Sequence, residues 1–328
     1  MQGFKSDLEG ILKENCIDIL VPTCEEVFYI SMIKEALEGY SKVFCPDFDK
    51  IKILHSKVDI YSCTENVGFL NPNMEVLELK DLLLIESFSG KVVKREFCRF
   101  GSDVLIEPDR KTVRKHYQSD GVGRFILQDK IEGIEYCCYA ISNNGVVSYI
   151  AVYEPIYRVR KAAGIYFLPV KDGLIEKLII DFCTTNSITG QISFDIMKNA
   201  DGVYLIECNP RATSGLHLLS ECDLSKGFLN ECRFDEEYDQ KLKPKMIAIA
   251  MVMIALPDSI SNARYRDWKE KFISAEDVIS LKGDRMLLLY CFLSILEIIL
   301  ISIKTSESIR AASTSDIEWD GEVVDGWQ

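Results

Sequence analysis

Apolar and polar positions change their spacing several times along this chain, and each change marks an element. Asp7 to Asn15 carry the 3.6-residue spacing of a short helix, and Ile17 to Val21 form a compact apolar run of strand length. Pro22 and Thr23 interrupt it, helical spacing resumes from Glu25 to Leu37, and Val43 with Phe44 make a second short strand before Pro46. Helix, strand, helix, strand with short apolar strands predicts a parallel α/β segment. Ile51 to Val58 reads as another helix. Beyond it the pattern turns to strands. Met74 to Leu84 is mixed, and Lys91 to Lys94 and Asp103 to Ile106 are β runs around a turn-rich loop. Phe125 to Gln128 is a strand leading into an acidic connection. Tyr136 to Ser142 and Val146 to Tyr153 flank Asn143-Asn144-Gly145, a strong hairpin signal. Gly173 to Thr185 reads as a helix, and Ile192 to Met197 and Val203 to Cys208 as strands around Asn199-Ala200-Asp201-Gly202. From Leu216 the pattern is mostly helical and ends in a polar tail.

Length and composition narrow the class. The 328 residues correspond to about two domains and can bury a core without disulfide or metal staples. A 48% hydrophobic and 27% charged composition excludes a disordered or collagen-like chain. With 38 Lys and Arg against 51 Asp and Glu, the net charge of −13 argues against nucleic acid as a partner. The 12 Cys form no CxxC or zinc spacing, the three His are scattered, and the N-terminal stretch lacks an apolar signal core. Reduced thiols in a cytoplasmic protein are the expectation. Met286 to Ile303 is an 18-residue apolar run interrupted only by Glu297. It sits at the lower edge of membrane-span length, and a mid-run carboxylate is costly in lipid, so a buried core helix is expected there.

The chemistry concentrates between Ser193 and Gly215. Strand alternation puts Ser193, Asp195 and Met197 on one face, and Leu205, Glu207 and Asn209 on one face of the next strand. A hairpin then brings Asp195, Glu207 and Asn209 together. Two carboxylates and an amide oxygen are hard ligands of the kind Mg²⁺ takes while it also holds substrate phosphates. Arg211 follows with a planar fork suited to phosphate oxygens.

The stretch Glu207-Cys208-Asn209-Pro210-Arg211, with the acid-bearing strand before it, resembles the metal- and phosphate-binding end of ATP-grasp enzymes, in particular the carbamoyl-phosphate-synthase large-subunit-like group. Further segments fall in that family's order. The resemblance implies that Asp195, Glu207 and Asn209 hold Mg²⁺ (or Mn²⁺) and that Arg211 contacts phosphate. It makes Lys57, in Leu54-His55-Ser56-Lys57, a helix-borne phosphate ligand, and Lys94 a strand-borne ligand of the α-phosphate. Cys98 to Ser102, with Arg99, Gly101 and Ser102, stands where a loop covers the β- and γ-phosphates. Gln128 to Glu135 stands as the adenine hinge: Gln128, Asp129 and Ile131 offer backbone groups, and Glu135 grips the ribose. The likeness runs from Lys42 to Gly215, with a weaker echo to Gly321 in the tail Ser313 to Gly321. The chain departs from the family in Lys94-Arg95 where Lys-Pro is usual, in a single glycine in the phosphate loop, in Gln128 where many members have Glu, and in a front domain lacking its first strand and helix.

The resemblance implies an α+β ATP-grasp fold, two α+β lobes enclosing ATP, preceded by a truncated Rossmann-like α/β segment. The expected division is 1–55 for that segment, 56–125 and 126–235 for the two lobes, and 236–328 for a mostly helical extension packed on them. The implied activity is ADP-forming ligation of a small-molecule carboxylate and an amine through an acyl phosphate. The basic loop Tyr157 to Ile165 offers Arg158 and Lys161 to the acyl phosphate or the substrate carboxylate. The abbreviated front implies a reduced substrate site, a second copy or partner that completes it, or a start codon placed too late. An alternative from another class is a degenerate ATP-binding module with a regulatory role. The retained Asp195, Glu207, Asn209 and Arg211 argue against it.

Overall fold

The computed structural model describes residues 2–97, 104–117, 123–159, 163–235, 242–279 and 286–305, with Ala312, Trp319 and Gly321. The described residues fall into two compact units. The first draws on 1–154, 170–240 and 319–328, the second on 155–169 and 241–318. This cut differs from the four segments read from the sequence.

The first unit opens with α1 (Gln2–Glu14), β1 (Ile19–Leu20), α2 (Glu26–Met32), α3 (Lys34–Leu37) and β2 (Lys42–Val43). The two short strands pair in parallel, Ile19 opposite Lys42, as the alternation of elements predicts. Their helices close over Leu12, Phe28, Leu37 and Ile51, and Trp319 from the far end of the chain lies in the same apolar cluster. α4 (Phe48–His55) and a 3₁₀ turn, Asp59–Thr64, lead out of this segment.

A four-stranded antiparallel sheet follows, built from β3 (Met74–Leu77), β4 (Lys91–Arg95), β5 (Val104–Ile106) and β6 (Phe125–Asp129) in the order β3-β6-β4-β5. α5 (Leu79–Leu82) and α6 (Arg110–Tyr117) contribute to its apolar side, where Leu82, Val93, Val113, Tyr117, Phe125 and Leu127 pack. Alternation along β4 and β6 puts Val92, Lys94, Ile126 and Gln128 on the opposite side, with Val92 opposite Gln128 and Lys94 opposite Ile126.

The second sheet of this unit runs β11-β10-β7-β8, all antiparallel, from β7 (Ile134–Asn143), β8 (Val146–Pro155), β10 (Gly190–Lys198) and β11 (Val203–Asn209); β9 (Tyr166–Pro169) belongs to the second unit. The β7–β8 turn is the expected one. Asn144 and Gly145 have φ of 50° and 79°, the paired positive values a two-residue hairpin turn of matching twist requires. α7 (Gly173–Thr185) begins at Asp172, whose carboxylate accepts from Leu174 N (3.2 Å) and Ile175 N (3.3 Å). Its buried side, Ile175, Ile179 and Phe182, meets Ile192, Phe194, Ile196, Val203, Leu205 and Cys208 in the largest core. α8 (Glu221–Phe228) follows behind a Ser220–Asp223 capping box.

In the second unit β9 pairs antiparallel with β12 (Lys245–Met246), which pairs in parallel with β13 (Glu276–Asp277). α9 (Ala248–Ala250), a π-helical turn at Met251–Ala255, α10 (Leu256–Ser261) and α11 (Tyr265–Ser274) surround Trp268, whose indole donates to Met251 O at 3.0 Å. α12 (Met286–Thr305) is the expected helix, but it is not buried: Leu289, Phe292, Leu296, Leu300 and Ile303 are all exposed. The run is apolar on every side and has no polar stripe to orient it, and burial would need neighbours all round. The small core of this unit is filled by Tyr157, Tyr166, Met246, Met251 and Trp268 instead. Among the described residues no helix is long and apolar enough to cross a membrane.

The core makes a chemical prediction. Burial pushes the Cys183 thiol up to about 12 and those of Cys138 and Cys208 well above the ordinary value, so at pH 8 all three stay protonated. Iodoacetamide at pH 8 followed by peptide mass spectrometry should modify the exposed Cys16 and Cys222 rapidly, and Cys138, Cys183 and Cys208 only in denaturant. Comparable labelling of Cys208 in the native protein would contradict the packing of β11.

Candidate functional site

The site begins with one extra residue. β10 and β11 pair Asp195 with Glu207 but Ile196 with Leu205, so Ile206 is bulged out of register. Strict alternation would have put Glu207 and Asn209 on the face of Leu205, as the sequence pattern suggests. Leu205 is instead in the core with Val203 and Cys208, and the bulge turns Glu207 and Asn209 to the other face. Asp195 faces Glu207 across the strands, Ser193 faces Asn209, and Cys137 and Tyr139 of β7 continue the two rows.

Cations converge on this strand end. Lys57 is 1% exposed, and its Nζ lies 3.6 Å from Glu207 Oε1. It is not carried by a helix. α4 stops at His55, and Ser56 turns the chain, its Oγ accepting from Val58 N (3.2 Å) and Asp59 N (3.0 Å). Ser56 Oγ also donates to Glu96 Oε1 at 2.5 Å, and Arg124 Nε donates to Glu96 Oε2 at 2.6 Å. This cluster, with Ser56 and Glu96 buried and Arg124 exposed, ties the turn bearing Lys57 to the end of β4. Lys94, on β4, is 3% exposed, and its Nζ donates to the carbonyl of the bulged Ile206 at 3.4 Å. Tyr61 OH donates to Leu205 O at 3.4 Å, and burial together with the Glu207 charge pushes its phenol up.

Arg211 stands at the exit of β11. Its Nη2 donates to Asn209 Oδ1 (3.2 Å) and lies 3.3 Å from Glu25 Oε1; its Nη1 donates to Ala212 O (3.1 Å). Its Nε is buried and has no acceptor among the described residues. The turn behind it is tight: Ser193 Oγ donates to Arg211 O (3.0 Å), and a Cβ at Gly215 would lie 2.5 Å from Tyr139 Cβ.

The hinge segment divides. Gln128 is 3% exposed on the same sheet face as Lys94, and its Oε1 has no donor among the described residues. Asp129 points the other way, into an ion pair with Lys91 (2.6 Å) and a hydrogen bond from Asn73 (3.1 Å). The hydrogen bond from Lys91 draws its carboxyl below the usual range. The N–H groups of Asp129 and Lys130 donate to Asn73 O and Gly90 O, so neither is open to a ligand, and Ile131 and Glu135 further along are half-buried. Gly133 fixes the turn, because a Cβ there would lie 2.5 Å from Lys198 O.

The structure thus brings together Lys57, Lys94, Asp195, Glu207, Asn209 and Arg211. Arg158 lies in the second unit, bridged to Gly164. Arg99, Gly101, Ser102 and Lys161 lie outside the described residues. Sequence reasoning missed Glu25, Glu96 and Arg124, which carry no motif and act through contacts distant in the chain, and it gave no role to Ser56 beside Lys57. Among the described residues no three His, Cys, Asp or Glu side chains gather to hold a metal. Two carboxylates and an amide oxygen suit a hard cation that takes its remaining oxygens from phosphates and water.

Residues 54–215 match a family described as an ATP-grasp domain. No curated protein sequence matches the chain. Among solved structures it is similar to carboxyaminoimidazole ribonucleotide synthase from Aspergillus clavatus with ATP (12% identity, 69% of this chain, 64% of that one, TM-score 0.51). It is also similar to the ADP complex of N5-carboxyaminoimidazole ribonucleotide synthetase (16%, 69% and 63%, 0.51). A third is the biotin carboxylase domain of Hydrogenobacter thermophilus 2-oxoglutarate carboxylase with MgADP and bicarbonate (11%, 66% and 55%, 0.51). The chain spans less than two thirds of each of these three, and at such identities the likeness is one of fold. Residues 54–215 thus carry an ATP-grasp domain, and the fold around them is like that of the nucleotide-bound structures above.

Proposed function

We propose that this chain binds Mg-ATP between the β4–β6 face and the β10–β11 strand end, and uses it to join a carboxylate to an amine. The observation that carries the reading is the bulge at Ile206. It turns Glu207 and Asn209 out of the core beside Asp195, where Lys57, Lys94 and Arg211 converge. Solved chains of the same fold hold ATP, ADP or MgADP.

In this reading Asp195, Glu207 and Asn209 would hold Mg²⁺, which would supply neutralisation of phosphate charge. Lys57 and Lys94 sit on acceptors of β11 that phosphate oxygens would replace or share. Arg211 offers its fork to the transferred phosphoryl group. Gln128 Oε1 accepts from the base. A substrate carboxylate oxygen attacks the γ-phosphorus, the bond to the ADP oxygen breaks, and an acyl phosphate forms. An amine then attacks the acyl carbon, phosphate leaves, and the amine loses a proton. Positioning and charge neutralisation supply most of the catalysis, since a nucleophilic side chain is not required.

Titration calorimetry on the purified chain should show ATP binding that tightens with Mg²⁺. Lys57→Met and Lys94→Met should each weaken it by about tenfold or more, the loss of one charge-assisted contact. Asp195→Asn should remove most of the Mg²⁺ dependence while leaving metal-free binding in place. ADP release screened over carboxylates and amines then separates the activities. Release that needs both partners supports the ligase. Tight Mg-ATP binding with no ADP release under any pair would instead make the chain a nucleotide-responsive module.

A further inference from the structure

Trp319 lies more than a hundred residues beyond the ATP-grasp domain, yet it is 2% exposed and belongs to the same unit as the site. Its ring stacks on Phe28 (centroids 4.6 Å, 17° between planes) and meets Phe97 and Phe48 edge-on at 5.2 and 5.8 Å, with His55 6.3 Å away. Gly321 seals this seat: its φ is +94°, and a Cβ there would lie 2.8 Å from the Phe97 ring. Two of the rings adjoin site residues in the chain, His55 before Lys57 and Phe97 after Lys94.

The seated residue reaches the site through one buried carboxylate. Trp319 N donates to Glu25 Oε2 at 3.3 Å, and Glu25 Oε1 lies 3.3 Å from Arg211 Nη2. The same Nη2 donates to Asn209 Oδ1 at 3.2 Å. Glu25 is fully buried, so its charge depends on such partners, and its orientation is set by them. The aromatic seat fixes where the Trp319 N–H points. That N–H holds one carboxylate oxygen, the other oxygen faces Arg211, and Arg211 orients the Asn209 amide.

We propose that Trp319 is a positioning residue for the metal- and phosphate-binding end of the site, acting through Glu25 on Arg211 and Asn209. The inference rests on the Mg-ATP reading above. It gives the C-terminal segment a role in cis: a stretch far from the domain in sequence sets the geometry at its signature strand.

The test is calorimetry of ATP binding to the full chain, with EDTA and with Mg²⁺, for the native sequence, Trp319→Ala, Trp319→Phe and Glu25→Gln, each checked by circular dichroism. The native chain should bind more tightly with Mg²⁺. Trp319→Ala and Glu25→Gln should lose about tenfold of that Mg²⁺-dependent gain, with metal-free binding changed less than about twofold; tenfold corresponds to one charge-assisted contact. Trp319→Phe keeps an aromatic ring in the seat and should restore the gain. Should Trp319→Ala fail to fold, Glu25→Gln decides alone. A full Mg²⁺-dependent gain in a folded Trp319→Ala or in Glu25→Gln overturns the proposal. So does an equal loss with and without metal, which marks a merely structural role. If the native chain itself shows no Mg²⁺-dependent ATP binding, the Mg-ATP reading is what fails, and the relay falls with it.

Discussion

One unpaired residue in a β ladder sets the geometry of this protein. β11 must give apolar side chains to the core under α7 and polar ones to the opposite face, and a regular strand of its sequence cannot. Val203, Leu205 and Cys208 all belong to the core, yet the last two are an odd number of positions apart. Bulging Ile206 resolves the conflict. The carbonyl of that residue is left outside the ladder and accepts from Lys94, and Glu207, turned outward, faces Lys57. A buried ammonium is stable only beside an anion or acceptor, so the position of Glu207 and the burial of Lys57 depend on each other. The same requirement makes the site suited to an anionic ligand, whose oxygens can share these cations.

The second constraint is the support of that strand end from distant segments. Gln191, in β10, accepts from Tyr139 OH (2.6 Å) and donates to Pro22 O (2.6 Å), fixing the opening α/β segment to the second sheet. Glu25 extends the link to Arg211, and Asn186 donates to Cys63 O (2.9 Å) below the turn that carries Lys57. The buried Glu96 joins Ser56 to Arg124, the residue before β6. Buried polar groups of this kind hold register because each would be costly to leave unpaired. The opening segment is therefore part of the scaffold of the site.

Much of this was legible in the sequence where local rules decide. The Asn143-Asn144-Gly145 turn, α7 behind Asp172, and the antiparallel pair around Asn199 to Gly202 follow from turn chemistry, capping and strand period. The Glu207 to Arg211 stretch stood out because its residue types and spacing are ones that metal and phosphate chemistry would use, and the structure does gather them at one strand end. The bulge was not, since alternation assumes one residue per register step, and it placed Leu205 with Glu207. Lys57 read as helical because the apolar spacing of α4 runs on through Val58; the turn depends on Ser56 and the distant Glu96. Glu25 and Trp319 act on Arg211 across gaps of 186 and 108 residues, which no local pattern encodes. α12 read as buried because hydropathy alone does not show whether a chain supplies the neighbours to cover a helix.

The most direct test of this account is the position of the metal. Crystals grown with Mn²⁺ and ADP, measured at the manganese edge, give an anomalous peak that marks the ion independently of the protein phases. The account requires that peak at the Asp195 and Glu207 carboxylates and the Asn209 amide oxygen, with the nucleotide phosphates reaching Lys57, Lys94 and Arg211. A manganese peak elsewhere, or a nucleotide bound away from the β10–β11 strand end, would contradict it.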